Sequence, residues 1–465
     1  MSDLAKKGDR MHETRQLAEY IVGLKNEDLT PELIDKTKQH LLDQMGCQTT
    51  FATLPWGKAA YRYVAARGDR GTSTVAYYGL KTSAEAAAFA NGLFGHGCEM
   101  DDDDESTTSH PGVGIVPATL AVGEAVSASG LDLINAMVVG YDAMIRIGLA
   151  SRAIHANGFH ETAAIGTFGA TAAACKLYGL NVEETTHALG IAASESCGIG
   201  EYSCSGGSIK RAHAGFAASN GVRAAMMAKC GITGPLEALE GKKGWLRVFT
   251  GGEYYPEKIT ENLGTDFKIM RVGMKPYCCC AGIHGVIDAT EAIRQQGATV
   301  DNVESIAIMM RPRETRDVGT IIEPYDVVSA QFSARFGCAL RLVKGSNGYH
   351  DYVMDNVNDP QIREFARNVI WETDEDDTYL SGNAAPARVT ITLKDGTVLQ
   401  ETVNHAIGTI DNPLDWDGVV QKYRETVEGV VSAAQADAAV KRVENIAALE
   451  DVASLTRLLV PDGTM

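Results

Sequence analysis

The chain has 465 residues, of which 45% are hydrophobic and 22% charged, and its formal net charge is −18 at pH 7. This length suits one large and one smaller domain, and the composition excludes a disordered chain and a small disulfide-bonded module. No run of lysine and arginine offers the basic face that a polyphosphate needs, so we expect no nucleic-acid partner. The 48 glycines, with abundant alanine, predict closely packed helices.

The N-terminal segment MSDLAKKGDRMHETRQ lacks the apolar core of a signal peptide. No uninterrupted apolar run approaches the roughly 20 residues of a membrane span. The ten cysteines include no CxxC pair, and without a leader we interpret them as reduced thiols rather than as metal ligands. We therefore expect a cytoplasmic protein with no membrane contact and no bound metal.

The first two-thirds of the chain predicts helices. Thr30 stands before Pro31, which suits the first position of a helix, and apolar residues then recur at helical spacing. Ser83 is placed to cap AEAAAFANGLFGHG, a stretch with almost no polar face. Such a helix belongs inside the protein, packed against other helices.

The pattern changes after about residue 265. NVESIAIMMRP alternates as a strand does, and ARVTITLKDGTVLQETV predicts a hairpin with an Asp395-Gly396 turn. DPQIREFARNVIWET predicts an amphipathic helix between them, and NPLDWDGVVQKYRETVEGV returns to helix. We predict a mainly α protein whose large helical domain comprises residues 1–268 and 408–465, with an inserted α+β lid domain at 269–407.

The acidic stretch HGCEMDDDDESTTSHPG, residues 96–112, is the strongest local peculiarity of the sequence. If the helix that follows Ser83 continues through it, His96, Glu99 and Asp103 share one face at i, i+3 and i+7. Burial of that face shifts the pKa values of carboxyl and imidazole groups, as active sites require. The plain alternative is a solvated acidic loop at a helix end.

Two metal-binding interpretations of the same stretch are weaker, because the sequence lacks residues that each of them requires. An EF-hand needs a glycine and a glutamate where Ser106 and Gly112 stand. Asp101, Asp102 and Glu105 have the DDxxE spacing of isoprenoid synthases that bind magnesium diphosphate. Such an enzyme needs a second metal-binding helix, which the sequence does not supply.

Two histidines lie just before stretches of small residues. His110 precedes Pro111, which holds it in an extended conformation suited to aiming a side chain into a cleft. His160, in NGFHETAAIGTFGA, stands at a helix start, where free backbone N–H groups favour an anion. Taken singly, either histidine is more simply interpreted as a packing residue.

Two cationic pairs complete the candidate chemistry. Lys210 and Arg211 lead a nearly continuous small-residue helix, and Arg271 and Lys275 stand at the predicted junction of the domains. Substrate clefts commonly lie at such junctions. Because Walker, GxGxxG, GxSxG and HExxH motifs are absent, these residues favour proton transfer on a small, multiply charged anion without a dinucleotide.

The chain resembles the MmgE/PrpD family, which includes 2-methylcitrate dehydratase, cis-aconitate decarboxylase and iminodisuccinate epimerase. The resemblance rests on six motifs in order: NGLFGHGCEMDDDD…SHPGVGIVPATLAVGEA, SGLDLINAMVVGYDAMIRIG, FHETAAIGTFGATAAACKLYGL, KRAHAGFAASNGVRAAMMAKCGITGP, MKPYCCCAGIHGVIDA and IDNPLDWDGVVQKY. It implies a helical domain built from both chain ends, an α+β lid, a homodimer, no organic cofactor, and a substrate held between the domains.

The residues and the resemblance together predict the site. The predicted catalytic residues are Glu99, Asp102, His110, His160, Lys210 and Lys275. The predicted substrate-binding residues are His96, Asp101, Asp103, Arg211, Arg271, Tyr277 and His284.

Departures from the family pattern, a slightly longer loop before His110 and three single residues, weaken an assignment to cis-aconitate decarboxylation. Glu99 stands where the family has aspartate, Asp103 where it often has threonine, and Phe336 where the decarboxylases use a tyrosine hydroxyl. We therefore predict a cofactor-independent lyase of the dehydratase or hydratase type that acts on a 2-methylcitrate-like polycarboxylate. The alternatives are an epimerase or racemase, a decarboxylase, and a catalytically silent carboxylate-binding dimer.

Overall fold

The computed structural model describes residues 12–376, 378–381 and 385–463. In chain order the α-helices are α1 (Glu13–Gly23), α2 (Pro31–Phe51), α3 (Pro55–Arg67), α4 (Ala84–Gly95), α5 (Gly112–Val126), α6 (Gly130–Ala150), α7 (Glu161–Ala164), α8 (Gly166–Tyr178), α9 (Val182–Glu195), α10 (Tyr202–Ser205), α11 (Ile209–Lys229), α12 (Trp245–Phe249), α13 (Glu257–Thr260), α14 (His284–Gln295), α15 (Pro312–Val318), α16 (Val327–Gln331), α17 (Ala334–Lys344), α18 (Met354–Val357), α19 (Pro360–Asn368), α20 (Trp416–Val427), α21 (Ala433–Glu444) and α22 (Ala453–Thr456). The strands are β1 (Ser73–Thr74), β2 (Lys81–Thr82), β3 (Asp102–Asp103), β4 (Gly273–Met274), β5 (Val303–Met310), β6 (Ile370–Thr373), β7 (Ala387–Leu393) and β8 (Val398–Val403).

The chain forms two compact units. Unit 1 contains the described residues up to Gly97, Asp104–Val272, and those from Val427 onward. Unit 2 contains Cys98–Asp103 and Gly273–Thr426. The predicted mainly α class is confirmed. Unit 2 also holds the acidic segment 98–103 and residues 408–426, both outside the predicted range 269–407, whereas residues 269–272 belong to unit 1. That unit 2 serves as a lid stays a prediction.

Small residues bring the helices of unit 1 close together. Helix α11 packs against α4 and α8, and α8 packs against α6. A Cβ at Gly221 of α11 would lie 2.4 Å from the Cβ of Ala170, and one at Gly215 would lie 2.6 Å from the carbonyl oxygen of Phe89. The high glycine and alanine content therefore reflects direct contact between helix backbones, in an interior with no room for larger side chains.

The two predicted helix caps are confirmed. Thr30 Oγ1 accepts a hydrogen bond from the Leu33 amide at 3.3 Å, with Pro31 in the first position of α2. Ser83 Oγ accepts one from the Ala86 amide at 3.2 Å and begins α4. Each satisfies an amide that the helix itself leaves without a partner.

Helix α6 is the one described helix that is long and apolar enough to cross a membrane. In this structure 94% of its most apolar window is buried inside the protein. The same helix carries Asp142 and Arg146, both fully buried, and the Arg146 guanidinium donates to the carbonyl oxygens of Asn262 and Asp266 at 3.3 and 2.7 Å. These features are those of a core helix.

We expect Gly130→Ala to destabilise unit 1 by at least about 1–3 kcal/mol through overpacking. Gly130 begins α6, and a Cβ there would lie 1.8 Å from the carbonyl oxygen of Ile446. The control is Gly23→Ala in the last turn of α1, where an added Cβ meets nothing within 4 Å. Alanine at that helical position should stabilise by up to about 1 kcal/mol. Urea denaturation of both variants measures the contrast, and equal stabilities would contradict it.

Unit 2 is built on a four-stranded sheet in the order β6-β5-β7-β8. The β5–β6 pair is parallel, and the β5–β7 and β7–β8 pairs are antiparallel. Strand β7 alternates buried and half-buried residues along its length, and α14 packs against β7 and β8. The predicted hairpin with its Asp395-Gly396 turn and the strand in NVESIAIMMRP are therefore confirmed. The helix predicted in DPQIREFARNVIWET is confirmed only over Pro360–Asn368, because Ile370–Thr373 forms strand β6 and pairs with β5.

The helix after Ser83 does not continue through the acidic stretch, so the condition for a shared face of His96, Glu99 and Asp103 is not met. Helix α4 ends at Gly95, and the amide of His96 bonds back to the carbonyl oxygen of Gly92. The negative end of the helix dipole disfavours a run of aspartates directly after it. The chain instead makes a turn and the two-residue strand β3, so His96, Glu99 and Asp103 do not share a helix face.

Candidate active site

Four histidines of unit 1 come together in what we call the histidine cluster: His96, His110, His160 and His213. The ring centre of His96 lies 5.3 Å from that of His110 and 5.9 Å from that of His160. The Nδ1 atoms of His160 and His213 are 3.0 Å apart, so one ring donates a hydrogen bond and the other accepts it. Two of the predicted catalytic residues, His110 and His160, therefore belong to one group of imidazoles.

Each ring of the cluster is held by the end of a helix. His96 follows the last residue of α4, and His160 directly precedes α7. His213 lies near the start of α11. The backbone N–H of His110 donates to Thr162 Oγ1 at 3.1 Å, which ties this loop residue to α7. Because these anchors belong to the packed helices of unit 1, the rings sit on a rigid frame.

Burial keeps two imidazoles of the cluster, His160 and His213, neutral. Burial lowers the pKa of His160 well below its usual value, and the charges of His96, Lys210, His213 and His110 lower it further. Burial, with a smaller contribution from His96, lowers the pKa of His213 to about 4. At neutral pH both rings are therefore proton acceptors, and a bound anion, by supplying negative charge, would raise their pKa values.

Positive charge accompanies the cluster. Lys210 is half-buried in the first turn of α11, and its charge is felt at His160. The buried Arg211 donates from Nη1 to the carbonyl oxygen of His96 at 3.2 Å, and its guanidinium stands 5.9 Å from the centre of the Trp56 ring. In a chain of net charge −18, cations beside neutral imidazoles form a local setting that suits a small anion.

A second group, the lysine cluster, lies in unit 2 and consists of Lys275, Glu99, Asp101 and Asp103. The Lys275 ammonium is 3.7 Å from Glu99 Oε2 and 3.9 Å from Asp101 Oδ1, and all three side chains are at most 4% exposed. Burial alone would lower the pKa of Lys275, but the charges of Asp101, Glu99 and Asp103 raise it. The lysine is therefore a fixed positive charge at neutral pH.

Strand pairing aligns the two sides of this cluster. Strands β3 and β4 pair antiparallel, with Asp102 opposite Met274 and Asp103 opposite Gly273. One step further along the same register sets Asp101 against Lys275. Asp102 is itself fully buried, and its catalytic role stays a prediction. The buried Lys422 adds a cation on this side, since its ammonium donates to the Met100 carbonyl oxygen at 2.6 Å.

The other predicted residues of unit 2 lie close to one another. The rings of Tyr277 and His284 meet edge to face with centres 5.2 Å apart. The Tyr277 hydroxyl donates a hydrogen bond to Asp288 Oδ1 at 2.5 Å, so its proton is already bonded within the protein. Burial and the charge of Lys275 lower the pKa of His284 to about 3, so its ring is neutral. Phe336 is fully buried and contacts the ring of Tyr352.

Two sequence-based ideas receive no support from the placement of their residues. Arg271 is exposed in a short 3-10 turn and interacts with Asp104, which leaves its predicted role in substrate binding without a structural argument. The DDxxE interpretation needs its carboxylates on one helix, but Asp102 lies in a strand and Glu105 in an exposed turn.

Three residues in or beside the two clusters were not predicted from the sequence. His213 lies three residues after Lys210 on α11, so helical spacing sets both on one face. Val419, Lys422 and Tyr423 are all buried in α20. Lys422 and Tyr423 follow Val419 by three and four residues, a spacing that sets the lysine on the buried face of the helix. Tyr202, whose ring lies 5.1 Å from that of His160, carries no such local signal.

We expect acid to destabilise the protein partly through His284. Its pKa in the folded protein, about 3, lies below the roughly 6.5 of an unfolded histidine. The unfolded chain therefore binds the extra proton first, and the stabilisation is present above about pH 6.5 and lost as the pH falls. The loss reaches about 2 kcal/mol at pH 5.

The measurement is the free energy of unfolding at pH 7 and at pH 5 for the unmodified protein and for His284→Asn. The variant should lose less stability over that interval, whereas His350→Asn, at an exposed position of unit 2, should behave as the unmodified protein does. An unchanged difference between pH 7 and pH 5 in His284→Asn would refute the assignment.

Comparison with known proteins agrees with the motif resemblance. Residues 15–258 match the MmgE/PrpD N-terminal domain, and residues 277–446 match the MmgE/PrpD C-terminal domain. A cis-aconitate decarboxylase of Aspergillus terreus (strain NIH 2624 / FGSC A1156) is 28% identical over 96% of this chain and 95% of its own length. The cis-aconitate decarboxylases of Mus musculus and Homo sapiens are each 27% identical over 96% of this chain and 93% and 94% of their own lengths. The chain therefore belongs to the MmgE/PrpD family.

Proposed function

We propose that this protein is a lyase that acts on a small di- or tricarboxylate without an organic cofactor, and that it releases CO2 from a cis-aconitate-like acid. The observation that carries the proposal is the histidine cluster, in which neutral His160 contacts His96 and His213 while Lys210 contributes positive charge. The relatives described above are named as decarboxylases. That name moves decarboxylation ahead of the elimination of water that the sequence alone favours.

The chemistry of decarboxylation requires one proton for each turnover. Cleavage of the carbon–carboxylate bond releases CO2 and leaves an electron pair, which an adjacent carbon–carbon double bond delocalises. A proton added to the resulting carbanion gives an unsaturated acid with one carboxylate fewer. The donor must therefore be protonated in the complex with substrate.

The histidine cluster is suited to becoming that donor only when substrate is present. Without a ligand, burial and neighbouring positive charge keep His160 and His213 neutral. A polycarboxylate held by Lys210 and Arg211 brings negative charge that raises the imidazole pKa values. His110 is the half-buried member of the cluster, whereas the other three are buried, and we assign the proton transfer to His110 or His160.

Lys275, in unit 2, is a further candidate for a role in the reaction. Its ammonium stays charged beside Glu99 and Asp101, and a fixed positive charge stabilises the electron pair left when CO2 departs. The carboxylates of Glu99 and Asp101 offset part of that charge.

A second candidate reaction rests on a specific observation. Because His160 and His213 are neutral in the absence of a ligand, they are also suited to removing a proton next to a carboxylate. Loss of a hydroxyl group from the neighbouring carbon then gives dehydration, and return of the proton to the opposite face gives epimerisation. Dehydration of a 2-methylcitrate-like acid is the leading form of this alternative.

The test is to incubate the EDTA-treated protein in D2O with cis-aconitate, citrate and 2-methylcitrate, following products by NMR and CO2 by a coupled assay. The proposal expects CO2 release with one deuterium entering each product molecule. Formation of an alkene without CO2 would favour dehydration, and deuterium in unchanged substrate would favour epimerisation. Thermal stabilisation by these acids with no chemical change would overturn the proposal of an enzyme and indicate a binding protein.

A further inference from the structure

Unit 2 contains a pair of buried cysteines to which the proposed reaction assigns no role. The Sγ atoms of Cys98 and Cys278 lie 3.1 Å apart, although the two residues are far apart in the sequence. Cys98 is 7% exposed and Cys278 is fully buried. Both are reduced thiols in this structure, in van der Waals or hydrogen-bonding contact through their sulfur atoms.

The pair stands at the end of the ribbon that carries the lysine cluster. Strands β3 and β4 set Asp102 opposite Met274. Cys98 precedes Asp102 by four residues, and Cys278 follows Met274 by four residues, so the two thiols lie on the two chain segments that this strand pair joins. Between the strands and the thiols lie Glu99 and Asp101 on one side and Lys275 on the other. A bond between the sulfurs would fasten together the two segments that hold this ion-pair group.

The side-chain amide of Gln331 lies within hydrogen-bonding distance of both sulfur atoms. The Nε2 amide of Gln331, at the end of α16, lies 3.1 Å from Cys98 Sγ and 3.2 Å from Cys278 Sγ, and it also donates to the Cys278 carbonyl oxygen at 3.0 Å. Gln331 is itself 2% exposed. An amide N–H directed at two thiols favours a thiolate on either of them, because hydrogen bonding to the charged form stabilises it.

We propose that Cys98 and Cys278 are a reversible dithiol–disulfide site whose oxidant is a small peroxide. Formation of the bond requires the sulfurs to approach from 3.1 Å to about 2.05 Å, a shift of about 1 Å. A small neutral oxidant suits the site because Cys98 is only slightly exposed. This modification depends on the thiols and on Gln331, and it is independent of which acid the protein acts on.

The reaction balances in two steps. The Cys98 thiol takes one oxygen atom from hydrogen peroxide, giving a sulfenic acid and one water molecule. The Cys278 thiol then attacks that sulfur, forming the S–S bond and releasing the sulfenic oxygen as a second water molecule. Two thiols are oxidised, one peroxide is reduced, and a dithiol reductant reverses the change by thiol–disulfide exchange.

Burial sets the expected rate. Desolvation, together with the neighbouring Cys98, raises the pKa of Cys278 well above its usual value, so its thiolate is scarce. Cys204 and Cys230 are exposed and should react with peroxide earlier than the pair does. The distinguishing mark of the pair is therefore the product, a specific cross-link, and not the speed of its reaction.

The experiment exposes the full chain to hydrogen peroxide, blocks the remaining thiols, digests without reductant, and maps the peptides by mass spectrometry. We expect a peptide joining Cys98 to Cys278, lighter than its two thiol parts by two hydrogen atoms and lost on treatment with dithiothreitol. The oxidised protein should unfold at a temperature a few degrees higher, because a cross-link between distant residues restricts the unfolded chain.

Three variants sharpen the test. Cys98→Ser and Cys278→Ser should each abolish the cross-link and the thermal shift, whereas Cys338→Ser, at another buried cysteine of unit 2, should retain both. The map of the unmodified protein decides the matter even if a variant fails to fold. Persistent thiols at Cys98 and Cys278 after Cys204 and Cys230 are fully oxidised, or sulfinic acid there without a cross-link, would overturn the proposal.

Discussion

A Lys275→Met variant is expected to lower the free energy of unfolding by about 3–5 kcal/mol, the usual cost of removing one partner from a buried ion pair. Lys275, Glu99 and Asp101 are all at most 4% exposed, and the ammonium lies within 4 Å of both carboxylates. Without the lysine, two buried carboxylates lose the cation that lies within 4 Å of both. Urea denaturation, monitored by circular dichroism, measures the loss.

The matched control is Lys344→Met, which removes an ion pair at the surface of the same unit. The Lys344 ammonium is 3.1 Å from Asp359, but the lysine side chain is 37% exposed. Surface pairs contribute at most about 1 kcal/mol, so this variant should remain close to the unmodified protein. Equal losses in the two lysine variants would contradict the description of the lysine cluster as a buried charge group.

A double variant separates stability from activity. Glu99→Gln added to Lys275→Met removes one of the two buried carboxylates that the lysine faced and should restore part of the lost stability. It does not restore the cation, so turnover of the polycarboxylate should stay as low as in Lys275→Met alone. Recovery of both properties together would mean that Lys275 acts only on folding and has no part in the proposed reaction.

The local elements of the fold were predictable because their signals are local. The caps at Thr30 and Ser83 and the Asp395-Gly396 turn each depend on a few neighbouring residues, and the structure has all three. The end of α4 was not predicted, since the apolar pattern runs on past Gly95. Helix α4 ends there because aspartates follow it and because β3 pairs with β4, a strand that is distant in the sequence.

The residue types of the candidate site could be predicted from the sequence, but the contacts between those residues could not. His110 and His160 stood out by their position before small-residue helices, and His96 by the acidic stretch that follows it. Nothing local indicates that His160 shares a hydrogen bond with His213, or that Asp101 faces Lys275, because those contacts depend on how distant elements pack. The homodimer, the cytoplasmic location and the lid stay predictions from the sequence and the family resemblance.

Replacing His160 with asparagine should reduce kcat for the proposed reaction by about 10²–10⁴-fold, the usual contribution of a positioned proton-transfer group. Asparagine is the suitable replacement because its side-chain amide reaches the position of Nδ1, the atom that meets His213 Nδ1 at 3.0 Å. The hydrogen bond is thereby kept while the titratable ring is lost. The stability of the variant should change by no more than about 1 kcal/mol.

The division of the effect between kcat and KM tests the role given to His160. A group that only transfers a proton leaves KM nearly unchanged, whereas Lys210→Met should raise KM because it removes a charge that holds a carboxylate. His155→Asn, at an exposed histidine that bonds Glu161, should alter neither constant. If His160→Asn raised KM and left kcat intact, His160 would be a binding residue, and the half-buried His110 would become the sole candidate of this pair for the proton donor.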